Sequence, residues 1–171
     1  MQRRQPLPRL WLMTDERQGD GLWAALGRLP RGAGIVFRHH GLPQGERRRL
    51  FARIRKVARR KGLLLVGAGG RLPGADGVHH GRGRGGLRTA SAHDRAELKA
   101  AERAGAALVF LSPVFPTRSH PGARTLGRLR FGLIARDAQI PVIALGGMDS
   151  RRWRSLRPLG AYGWAGIDAW S

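Results

Sequence analysis

Cysteine is absent from all 171 residues, so disulfides and thiolate chemistry are excluded and the sequence carries no mark of a redox compartment. Acidic residues are also scarce: 11 Asp and Glu stand against 32 Lys and Arg, a net charge of +21. A chain so charged repels cations, steers anionic ligands towards itself and has a nonspecific, salt-sensitive affinity for nucleic acid. No apolar run approaches the roughly 20 residues of a membrane span, and the opening MQRRQPLPRLWLM has no signal-peptide core, so a cytoplasmic address is the default expectation. Lysine is nearly missing as well. Arginine makes up 29 of the 32 basic residues, a bias that base composition can produce through codon choice.

The length suits a single domain with one core, and is short for an eight-fold β/α barrel of about 200 residues or more. Residues 1–8, basic and broken by proline, read as a loose arm, and 9–171 as the domain. Strands are expected at Leu10 to Met13, Gly34 to His40, Leu63 to Val66, Gly77 to Gly81, Leu87 to Ala92, Leu108 to Leu111, Pro141 to Leu145 and Tyr162 to Ala169. Helical patterns fall between most of them, over Leu22 to Leu29, 45–62, Asp94 to Gly105, Leu126 to Ala138 and Arg151 to Leu156. Leu50, Ile54, Val57 and Ala58 share one face of the 45–62 helix, and arginines cover its outer face. Too little chain separates the third, fourth and fifth strands for ordinary crossover helices. The expected architecture is therefore a compact (β/α)8 TIM-type barrel, with the third and fourth helices abridged and the eighth missing.

The stretch LVFLSPVFPTRSHPGARTLG, 108–127, organises the candidate site. An apolar strand breaks into a loop stiffened by Pro113, Pro116 and Pro121, which offers Ser112, Thr117, Arg118, Ser119, His120 and Arg124 at a strand's carboxyl end, a composition suited to gripping an anion. Gly146 and Gly147, after a buried strand and before a helix, form a phosphate-cradle candidate, since glycine permits close backbone approach. The six histidines, His39, His40, His79, His80, His93 and His120, all fall at or beyond strand ends. Within each HH pair, alternation sends one ring inward and one towards a helix. Three or four imidazoles are thereby expected around one mouth, for anion binding or proton transfer. No HxH or HExxH spacing exists, so no metal site is expected.

SPVFPTRSHPGARTLG resembles the GPVFPT-x-[ST]-K segment of the thiamine-phosphate synthase family, which includes the thiazole tautomerases. PVIALGGM at 141–148, followed by AYGWAGIDAW, is similar to that family's PVVAIGGI…GADGVAVISA. The resemblance runs with gaps from Arg9 to Trp170. It implies a transferase of thiamine biosynthesis that couples a pyrimidine pyrophosphate, held by the first segment, with a thiazole phosphate, held by the second. The tautomerase histidine position is filled here by Pro113.

Carried over position by position, the family's QLREK reads Val36, Phe37, Arg38, His39 and His40, keeping the arginine and placing His40 where a lysine stands. The family's Asn-Asp after the third strand has no counterpart in Gly67 to Gly70. Its HLGQ-x-D reads His79 to Arg84, with Arg84 in the position of a magnesium-binding aspartate. Ser91, Thr117 and Ser119 keep hydroxyls, His120 replaces the loop lysine, and Asp168 replaces a phosphate-gripping serine. Both magnesium-binding aspartates are missing, so no cofactor is expected, and Arg38, Arg82, Arg84 and Arg118 are the groups left to neutralise a pyrophosphate.

The resulting expectation is an anionic small-molecule site with altered or lost catalysis. Arg38, Ser91, Thr117, Ser119 and His120 are its catalytic candidates. Arg38, His40, Arg84, Thr117, Arg118, Gly146, Gly147 and Asp168 are its binding candidates, with Asp168 paired to Arg38 or to a loop arginine. The alternative is a non-catalytic basic nucleic-acid-binding or scaffold protein on a decayed enzyme fold. The outer faces of the last and first strands, lacking a helix, are expected to be covered by the amino-terminal arm or by another copy in a homo-oligomer.

Overall fold

Strands buried on both faces carry apolar residues at consecutive positions, and short runs of that kind set the framework of this chain. The computed structural model describes residues 6–70, 72–81, 85–118 and 121–170. Its strands are β1 (Leu10–Met13), β2 (Gly34–Phe37), β3 (Leu64–Ala68), β4 (Gly77–His79), β5 (Leu87–Ala92), β6 (Leu108–Leu111), β7 (Val142–Leu145) and β8 (Ala161–Gly166). Each pairs in parallel with its sequence neighbours, and β8 closes on β1 with Leu10 opposite Trp164 and Leu12 opposite Gly166. The barrel is a closed TIM-type α/β fold.

Side chains pointing into the barrel fill it. Trp11, Met13, Val36, Val66, Phe110, Ile143 and Ala165 form one buried cluster there. Trp11 meets Phe110 edge to face at 5.3 Å. It can lie across the barrel because Gly34 has no Cβ to collide with its ring. Two further clusters lie outside the strands, beneath α1 (Gly21–Arg28) and α2 (Gln44–Lys61) on one side and α3 (Arg95–Arg103), α4 (Gly127–Arg136) and α5 (Ser150–Leu156) on the other.

The helices have local causes. α2 buries Phe51, Ile54 and Ala58, spaced three and four apart, and stops at Gly62, whose φ of 63° suits a residue without Cβ. Asp94 and Asp149 cap α3 and α5 by accepting the amides of Glu97 (2.8 Å) and Arg152 (2.7 Å). Among the described residues no helix joins β3 to β4 or β4 to β5. The Asp76 carboxylate, accepting the Leu65 amide at 2.8 Å, instead ties the short β3–β4 connection to the sheet.

Three strands end earlier than expected, while β3 runs on to Ala68 where Val66 was expected. β2 stops at Phe37 and β4 at His79, because His39 and His80 adopt positive φ (37° and 52°) and leave the extended conformation. Strand alternation therefore does not govern the HH pairs. β8 ends at Gly166, and Asp168–Trp170 form a 3-10 turn rather than more strand. That turn lays Trp170 on Trp164 (4.9 Å, nearly parallel), with its indole N–H donating to the Trp11 carbonyl at 3.3 Å. Trp170 thus covers part of the seam between β8 and β1. At the opposite end, Leu7 packs on the barrel-filling cluster and its carbonyl accepts the Tyr162 hydroxyl at 2.8 Å.

Candidate functional site

The loop after β6 is seated on the end of β7 by backbone bonds, from the Val114 amide to the Leu145 carbonyl (2.9 Å) and from Phe115 to Gly146 (3.1 Å). The glycine pair permits this. A Cβ on Gly146 would stand 2.8 Å from Pro113 Cα, and one on Gly147 would collide with the Pro116 carbonyl. Both have positive φ, 95° and 60°. Gly146 and Gly147 therefore hold the loop as well as bordering the mouth.

A cavity of about 210 Å³ opens there, lined by Arg38, Thr117, Gly146, Gly147 and Asp168 together with Ser112, His93 and the apolar Pro113, Leu145, Met148 and Ile167. Five of the expected site residues thus meet. Arg118 lies at the rim with Nη2 3.1 Å from Asp168 Oδ2, so the carboxylate is paired with the loop arginine rather than with Arg38. His40 is exposed beside Gly69. Ser91 faces His79 instead, its Oγ 3.2 Å from Nε2, and borders a separate outer groove of about 1130 Å³ against α3. Arg84, Ser119 and His120 lie outside the described residues, as does Arg82.

Arg38 is fixed from two directions. Its Nε donates to the Thr14 carbonyl and its Nη2 to Asp15 Oδ2, both at 2.8 Å. Burial pulls the Arg38 pKa below the usual arginine value, and the Asp15 charge opposes that. Asp15 itself is held below the ordinary carboxylate range, chiefly by hydrogen bonding to Arg17, with Arg38 adding to the effect. Asp15 follows β1 as Arg38 follows β2, and the parallel register brings the two strand ends side by side. That adjacency is the only sequence signal for Asp15.

Among the described histidines His79 and His80 meet edge to face at 4.5 Å, and the others lie on separate partners. His39 stacks on Phe37 (5.0 Å) on the α2 side and bonds the Thr14 hydroxyl through Nδ1 at 2.9 Å. His79 lies inside the barrel between Thr89 Oγ1 (2.9 Å) and Ser91 Oγ, and burial pushes its pKa down to about 3, so it is neutral. His80 Nε2 accepts the Ser91 amide and His93 pairs with Glu97 (2.8 Å). Of the described histidines, only His93 borders the cavity. No group of three or more His, Asp or Glu among the described residues is placed to hold a metal ion. The mouth carboxylates Asp15 and Asp168 are engaged by arginine, which does not fit the hard-oxygen set of magnesium.

Residues 13–170 match a family model described as thiamine monophosphate synthase. A relative from Aquifex aeolicus, named "Putative thiamine-phosphate synthase 2", is 32% identical over 179 residues, covering 94% of this chain and 96% of its own. The thiamine-phosphate synthase of Methylococcus capsulatus is 31% identical over 165 residues, covering 85% and 74%. That of Salinispora tropica is 37% identical over 114 residues, covering 63% and 55%. Among solved structures, thiamine phosphate pyrophosphorylase from Pyrococcus furiosus superposes with a TM-score of 0.79 at 25% identity, over 95% of this chain and 86% of that one. With seven of the eight strands, the mouth loop and the glycine pair all inside the matched span, the chain belongs to the thiamine monophosphate synthase family.

Proposed function

We propose that this protein binds an anionic small molecule, a phosphate or pyrophosphate ester, at the barrel mouth, and that its catalysis is altered from the family's synthase reaction or lost. The observation that carries the reading is the meeting of Arg38, Thr117, Gly146, Gly147 and Asp168 on one cavity. Arg38 uses Nε and Nη2 on Thr14 and Asp15, which orients the guanidinium and leaves Nη1 for a ligand. At about 210 Å³ among the described residues, the cavity has room for a ring-sized anion. Asp168, beside the glycine pair, disfavours a phosphate there and directs the anion towards Arg38.

If coupling chemistry survives, the protein acts as a transferase without magnesium. Arg38, Arg84 and Arg118 then neutralise the leaving pyrophosphate, and Ser91, Thr117, Ser119 and His120 supply hydroxyls and a base. A thermal-shift screen with pyrimidine pyrophosphate, thiazole phosphate, thiamine phosphate and nucleotides tests the binding. Stabilisation by the pyrophosphate or thiamine phosphate, lost in Arg38→Met, is the expected result; no shift with any of them refutes the reading. Formation of thiamine phosphate is assayed alongside with EDTA or magnesium. Activity that requires magnesium would overturn the metal-free proposal.

A further inference from the structure

We propose that the outer face of α2 is a docking surface for the phosphate backbone of double-stranded nucleic acid, bound without regard to sequence and separately from the mouth. Arg48, Arg49, Arg53, Lys56, Arg59 and Arg60 are exposed along this helix, and from Arg48 to Arg60 Ala52 is the one other exposed residue; Gln44, Gly45 and Glu46 are exposed in the first turn, before the row begins. None of the six has a salt bridge among the described residues, whereas on α3 Arg95 and Lys99 are paired with Asp137 and Glu102. The Arg53 guanidinium carbon sits over the Trp23 ring, 4.5 Å from its centroid, which steadies the middle of the row.

The helix alone does not account for this arrangement. Arg59 and Arg60, in the last turn, complement the negative end of the helix dipole. At the other end Glu46 stands in the first turn, and Arg48 and Arg49 follow beyond it. Arg49 and Arg53, and Lys56 and Arg60, are like charges four residues apart, which repel. A polyanion relieves that repulsion.

Shape and composition then select the polyanion. The apolar face of α2, Phe51, Ile54 and Ala58, is buried in the core, so no large apolar side chain remains outside to enter a lipid surface. From Arg49 to Arg60 the row runs about 16 Å at 1.5 Å per residue. Over that length one strand of a duplex presents about five phosphates. From Arg48 to Arg60 the exposed positions carry only cations and one alanine, with no amide or aromatic side chain to read base edges.

The test compares two variants of equal charge loss by anisotropy of a fluorescent mixed-sequence DNA duplex of about 20 base pairs, titrated across NaCl concentrations. One replaces the six α2 cations by Gln. The other replaces Arg128, Arg130, Arg136, Arg151, Arg154 and Arg157, exposed on or beside α4 and α5. Every phosphate that a variant no longer neutralises lowers the log–log salt slope by about 0.9, so the α2 variant should lose about 4 to 5 from the slope and the control less than 1. The double variant Arg49→Gln/Lys56→Gln, which leaves the Trp23 stacking intact, should lose about 2. Equal losses in the two six-fold variants, or no binding by the wild type at low salt, would overturn the proposal. So would an α2 variant that no longer binds anionic phosphatidylserine vesicles yet keeps its duplex affinity.

Discussion

Asp168 is the residue whose chemistry departs most plainly from the family pattern. Its carboxylate borders the cavity that Gly146 and Gly147 also line, and Arg118 pairs with it from the rim. Two anions about 4 Å apart repel by about 4 kcal/mol at an effective dielectric near 20, an upper figure here because both Asp168 and its partner are substantially solvent-exposed. Asp168→Ser should therefore strengthen binding of a phosphorylated thiazole by about tenfold or more, as read by calorimetry. Equal affinity in wild type and variant would mean that the carboxylate has no part in ligand choice. His79 gives a second prediction. Its pKa falls from 6.5 to about 3 on folding, because burial excludes its charged form. Between those two values the unfolded chain binds a proton that the folded one does not, so stability is complete above about pH 6.5 and declines as the pH falls towards 3. The slope should approach about 1.4 kcal/mol per pH unit within that window, measured by denaturant unfolding at pH 7 and pH 5. His79→Gln should flatten it. The burial-depressed pKa values of His39 and His80 act in the same direction, which is why the variant is needed to isolate His79.

At the scale of elements, the mouth depends on how the loop after β6 rests on the end of β7. Gly147 combines a φ of 60° with a Cβ direction that points into the Pro116 carbonyl, so Gly147→Ala strains the backbone and lifts the loop together. The expected cost is about 1 to 3 kcal/mol in unfolding free energy, with loss of ligand binding at the mouth. A variant as stable as wild type that still binds ligand would show that the loop is not held this way. The 3-10 turn Asp168–Trp170 is the other element that does more than its length suggests. Trp170 reaches both outer clusters and stacks on Trp164, standing where an eighth helix would cover the seam. Trp170→Ala should lower stability by about 2 to 3 kcal/mol, towards the low end for a large aromatic because the side chain is only partly buried.

Across the whole molecule, charge is the dominant condition. A net +21 on 171 residues means self-repulsion in the compact state, with only 11 carboxylate side chains set against 32 basic ones. Salt should therefore stabilise this protein: raising NaCl from about 0.01 to 0.15 M shortens the screening length from about 30 to 8 Å and should raise the thermal midpoint by several degrees. The same salt weakens duplex binding, so the two dependences run in opposite directions and can be measured on one sample.

The sequence by itself determined the strands, their order and the parallel closed barrel, because a strand buried on both faces must be apolar throughout and such runs can be read one after another. It also named Thr117, Gly146 and Gly147 from their residue types past the ends of apolar runs, and Arg38 and Asp168 through the resemblance to the thiamine-phosphate synthase family. Tertiary structure decided the rest. Whether His39 points towards α2 and His79 into the barrel depends on where each strand leaves the ladder, and a positive φ at the next turn is set by the loop's seating rather than by residue type. Asp15 became the clamp on Arg38 only because β1 and β2 end side by side. The partner of Asp168 was fixed by the lie of the loop after β6, which brings Arg118 to the rim, a choice among many arginines that no local pattern could make.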